Sequence, residues 1–61
     1  MNVYKIVIHS ELDEIVGVEH YSNGQKYEHG RSASQYVLLM EDEALAWNLF
    51  YAISLAIDRD S

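Results

Sequence analysis

His9, His20 and His29 are the side chains in this sequence best suited to chemistry. Imidazole can exchange protons near neutral pH and can ligate metals. If Asn23-Gly24 closes a hairpin, His20 and His29 lie diagonally on one face, roughly 5–8 Å apart. Glu11 or Glu28 would then be candidates to complete a site. The spacing matches no metal-ligand motif, and the chain has no cysteine. The histidines are therefore expected to be surface or half-buried groups, with no metal and no cofactor.

Catalysis by other routes finds little support. Ser10, Ser22, Ser32, Ser34, Ser54 and Ser61 sit in no nucleophile elbow, and no glycine-rich phosphate loop is present. A domain of 61 residues is also expected to lack room for a pocket of a few hundred Å³. The expectation is a protein that binds rather than an enzyme.

The charge balance either serves solubility alone or points to what the protein binds. Ten acids oppose four lysines and arginines, for a formal net charge of −6. Such a surface repels nucleic acid and anionic membrane and favours a protein with a basic surface. The acids cluster: Glu11, Asp13 and Glu14; Glu41, Asp42 and Glu43; Asp58 and Asp60; with Glu19 and Glu28 between them. Tyr4, Tyr21, Tyr27 and Tyr36 could stack bases, but the cations Lys5, Lys26, Arg31 and Arg59 are too dispersed to hold a phosphate backbone.

These side chains need a scaffold, and the chain is short. About 60% of its unfolded surface can be buried, so one marginal core and one domain are expected over residues 1–61. Without disulfides, oligomerisation or a bound partner is the natural source of extra stability. Val3–His9 and Glu14–Tyr21 alternate like strands. Gly17 marks a possible bulge in the second. Ser10–Glu14 reads as a loop or wide turn. Asn23-Gly24 is the strongest short hairpin signal and would join a third strand at Gln25–Gly30. Gln35–Met40 is an apolar run that reads as a fourth strand or as the approach to the helix. The fold class expected is α+β: a small antiparallel sheet of three to four strands packed against one C-terminal helix.

That helix starts near Glu41–Glu43, where acids complement the positive end of the dipole. At about 100° per residue, Leu45, Leu49, Ala52, Ile53 and Ala56 share a sheet-facing arc, with Ala46, Phe50 and Ile57 at its edge. Trp47, Tyr51 and Leu55 form a second apolar row on another face. Either strand ends or the 31–35 loop wrap around and cover Trp47, or the row is an interface, with a homodimer through the helix as the simplest arrangement.

No signal peptide, lipidation motif or stretch of roughly 20 apolar residues is visible, so a cytoplasmic protein with no membrane contact is expected. Beginning at Met1 without a tag-like segment, the chain is expected to be a complete small reading frame, of a kind common in phages and mobile elements. In size and charge it is similar to the small acidic phage proteins that inhibit host nucleases or defence complexes, some as nucleic-acid mimics. It also resembles antitoxins of the HicB type in placing a short sheet before a helix that opens with Glu43-Ala44-Leu45. The Pro-Asp and Gly-rich signature of those antitoxins is absent from its strands. Two functions are thus expected: an acidic inhibitor docking on a basic host protein, or a self-associating assembly or antitoxin-like partner protein.

Overall fold

The computed structural model describes residues 2–22, 25 and 34–60, Asp60 by its backbone alone. Three strands and one helix follow in order: β1 (Tyr4–Glu11), β2 (Glu14–Tyr21), β3 (Ser34–Met40) and α1 (Glu43–Asp60). The sheet is antiparallel with order β2-β1-β3, and α1 packs across one face, an α+β fold. The Asn23-Gly24 hairpin and the strand at Gln25–Gly30 fall outside the described residues. At their border, Gln25 N–H donates to the Ser22 carbonyl at 3.0 Å.

β1 is the central strand, which explains its composition. Residues with apolar partners on both faces lose their exposure on both. Ile6, on the helix side, and Val7, on the other, are both fully buried. Tyr4, Ile6 and Ala46 make the core, with Ile8, Val18, Met40, Leu49, Phe50 and Ile53 packed against it.

The Ser10–Glu14 loop is tighter than its polarity implies. β1 and β2 are joined by two residues, Leu12 and Asp13, with φ of 51° and 66°. Positive φ at both central positions is the pattern of a type I′ hairpin turn, usually made by Asn-Gly. A shift of register follows: His9 pairs with Gly17, but Ser10 pairs with Ile15. Val16 is the extra residue of a bulge, which returns Ile15 to the helix side.

The acids at the start of α1 act as expected. Asp42 Oδ1 accepts from Leu45 N–H at 3.1 Å, and the Asp42 carbonyl from Ala46 N–H at 3.0 Å. Asp42 is the N-cap. The Tyr4 hydroxyl donates to Glu43 Oε2 at 2.9 Å, fixing the helix start over β1.

The phase of the helix differs from the sequence reading. Ala46 faces the sheet and is 0% exposed, while Leu45 is 54% exposed and Ala52 and Ala56 are open. Two contacts turn the helix by somewhat less than one residue's step of about 100°. One is Tyr4 to Glu43. The other is Trp47, whose ring lies 3.6 Å from that of His20, centroid to centroid, and tilted 11° from it. Because His20 belongs to β2, α1 lies mainly over β2, then β1, and touches β3 least. Among the described residues, no helix is long and apolar enough to cross a membrane.

Candidate partner-binding site

The tight turn and the bulge together build a concave surface. Asp13, Glu14 and Ile15 from the hairpin face Ile53, Ala56 and Ile57 from the last turns of α1. Between them is an open cleft of about 560 Å³. Its floor is aliphatic and its rim carries two carboxylates. Leu12 stands beside it at the hairpin tip, 98% exposed. A leucine at positive φ costs about 1–2 kcal/mol relative to an ordinary backbone conformation, and here no burial of the side chain offsets that cost.

The structure distributes the ten acids unevenly. Glu11, Asp13 and Glu14 are exposed around the hairpin tip. Asp58 is exposed in the last turn of α1. Glu41, Asp42 and Glu43 are exposed at the opposite end of the helix, but Asp42 and Glu43 also hold the N-cap and Tyr4. Glu19 lies on the sheet face away from the helix. There Oε1 is 3.1 Å from His9 Nε2, and Oε2 accepts from the Tyr21 hydroxyl. His9 is fully buried, and Gly17 opposite it leaves room for the ring. Glu19 thus serves the fold. Glu28 falls outside the described residues, as does the side chain of Asp60.

Histidine chemistry is not assembled by the fold. His9 and His20 point to opposite faces of the sheet, and His29 falls outside the described residues. Among the described residues, no three His, Asp or Glu side chains group as a metal site would require. His20 Nε2 is buried and has no hydrogen-bond partner among the described residues. The ring serves as a flat surface for Trp47.

The row Trp47, Tyr51, Leu55 is divided. Trp47 is half-buried against His20 and, edge-on, Phe50. Tyr51 stacks on Trp47 with centroids 5.8 Å apart but remains 61% exposed, and Leu55 is 55% exposed.

Sequence reasoning missed Leu12 and the cleft floor. One signal was present: an apolar residue within the acidic stretch Glu11–Glu14. The cleft itself depends on the bulge that reorients Ile15, and strand alternation alone assigns that residue to the other face. Comparison with family models, with curated proteins and with solved structures finds no match for the chain.

Proposed function

We propose that the chain is a protein-binding module that docks on a basic segment of a partner. The observation that carries this reading is the cleft between the hairpin tip and the end of α1. An aliphatic floor of Ile15, Ile53, Ala56 and Ile57 under the carboxylates of Asp13 and Glu14 suits a lysine or arginine. Those side chains have an apolar stem and a cationic head. Leu12 would add a small apolar anchor at the rim, and the net charge of −6 would steer the encounter. The role is binding rather than catalysis. A cytoplasmic inhibitor of a basic nuclease or defence complex, of the phage type, is the setting this chemistry fits. Nucleic-acid mimicry is a narrower form of the same reading, and would rest on the exposed acids Glu11, Asp13, Glu14, Glu41 and Asp58.

The test is a titration of the isotope-labelled protein with a short arginine- and lysine-containing peptide, followed by NMR. Shifts are expected to centre on the methyls of Ile15, Ile53 and Ile57, and affinity should fall with salt. Asp13→Asn with Glu14→Gln should weaken binding by on the order of 1 kcal/mol, roughly fivefold. Equal shifts at the Glu41–Asp42 end, or affinity unaltered by salt, would refute the assignment.

A further inference from the structure

Among the described residues, β3 has the composition of an interior strand and the position of an edge. Its sequence, Ser-Gln-Tyr-Val-Leu-Leu-Met, contains no charge and no proline. Continuous apolar runs are characteristic of strands covered on both faces. Edge strands are normally protected by charge, proline or bulges. Here β3 pairs with β1 alone among the described residues. Tyr36 is 61% exposed and Leu38 41% on the helix side, Val37 51% and Leu39 64% on the other.

We propose that β3 is the seam of a symmetric homodimer. Two copies pair antiparallel, edge to edge, and their three-stranded sheets join into one of six strands. In an antiparallel pair, facing residues share a side of the sheet. A two-fold axis normal to the sheet keeps both helices on the same side. Each residue must then face one of the same parity, and full overlap of Ser34–Met40 selects the register centred on Val37. Tyr36 meets Leu38 of the second copy, Gln35 meets Leu39, and Ser34 meets Met40. The apolar rows are self-complementary in this arrangement.

Two further features make β3 the surface through which a second copy can approach. First, the molecule carries net charge −6, so two copies repel through most surfaces. β3 brings no carboxylate to the contact. Second, α1 is displaced toward β2 and leaves the helix side of β3 uncovered. The helix row Trp47, Tyr51, Leu55 is less suited to this role, because its largest member already stacks on His20.

The area sets the strength. The open parts of Tyr36, Val37, Leu38 and Leu39 come to roughly 400 Å² per copy, of which edge-to-edge pairing covers only a part. Stable interfaces bury about 1,200–2,000 Å², so the dimer should be weak and concentration-dependent, with dissociation in the micromolar range.

Cross-linking tests the register, since the chain has no cysteine of its own. Val37 lies opposite itself, with Cα atoms about 4.5–5.5 Å apart, inside the disulfide range of roughly 4.4–6.8 Å. Leu39 lies about 13 Å from its own copy by strand rise. Val37→Cys should oxidise to a covalent dimer, and Leu39→Cys should not, although Leu39 is the more exposed. Sedimentation supplies the second measurement. The double variant Tyr36→Lys, Leu39→Glu leaves net charge unchanged and places the new carboxylate across from Lys5 within the protomer. It should stay folded by circular dichroism and dimerise at least tenfold more weakly. Wild-type dimerisation should strengthen with salt. Wild type that remains monomeric to about 1 mM, or equal cross-linking at both cysteines, would overturn the proposal.

Discussion

The phase of α1 can be tested by exchanging neighbours. Ala46 is 0% exposed between the helix and the Tyr4 and Ile6 side chains. Ala46→Leu forces extra carbons into that contact, and overpacking of this kind costs about 1–3 kcal/mol. A domain of this length is stable by roughly 3–9 kcal/mol in total. The substitution therefore removes a large fraction of stability. At about 4–8 °C per kcal/mol, Tm should fall by about 4–24 °C. Leu45→Ala is the counterpart. Leu45 is 54% exposed, so only part of a transfer term of roughly 1.5–3 kcal/mol is at stake, and the better helix propensity of alanine offsets some of it. The expected cost is below about 1 kcal/mol. Urea unfolding at low protein concentration, where the dimer is absent, measures both. If Leu45→Ala costs more than Ala46→Leu, the helix sits in the phase that apolar periodicity alone implies, and the roles given to Tyr4 and Trp47 are wrong.

The hairpin tip and the helix start each carry a further prediction. Leu12→Asn should raise stability by roughly 0.5–1 kcal/mol, because asparagine tolerates positive φ and no buried surface is lost; it should also weaken binding of the basic peptide. An unchanged urea midpoint would mean the turn carries no strain. The hydrogen bond to Glu43, then burial, then the charge of Glu43 hold the Tyr4 phenol above its ordinary value of 10.0. Between the unfolded and folded values the native state binds more protons, so this stabilisation is complete below pH about 10 and is lost as pH rises further. The stability advantage of wild type over Tyr4→Phe should shrink above pH 10; a constant difference from pH 7 to 11 would refute the coupling.

The parts of this fold legible in the sequence are those set by short-range pattern. β2 has the bounds that alternation gives it, and Asp42 caps the helix as an acid at that position should. Less was legible where tertiary contacts override pattern. The order β2-β1-β3 depends on long-range pairing, for which Ile6 and Val7 gave only the hint that β1 is apolar on adjacent positions. The β1–β2 turn lacks the usual Asn-Gly, so its two-residue length was hidden by a polar stretch. The helix phase was misread because Trp47 and Phe50 have more surface to bury than Leu45, and a small residue at position 46 lets the backbone approach the sheet. The acidic clusters were visible, yet not their division into exposed groups and groups such as Glu19 that hold the fold together.

Local pattern and observed position also conflict at β3. Sequences that fold well tend to have local and global preferences in agreement. A strand coded for burial on both faces but lying at an edge breaks that agreement in the isolated chain. Pairing with a second copy eases it, since the β3 edge is then paired and its apolar side chains gain cross-strand neighbours. The same step supplies the stabilisation that a cysteine-free chain of 61 residues otherwise lacks. It also leaves both acid-rimmed clefts free, because they lie at the β1–β2 turn and the end of α1, away from the β3 edge. A dimer would then present two clefts to a partner, and bivalent attachment strengthens weak single contacts. The two surfaces respond to salt in opposite directions. Screening weakens a carboxylate–cation contact and relieves repulsion between two acidic copies. A salt series read for both dimerisation and peptide binding therefore separates them in one preparation. If both fall together, the seam is electrostatic and β3 is not its basis.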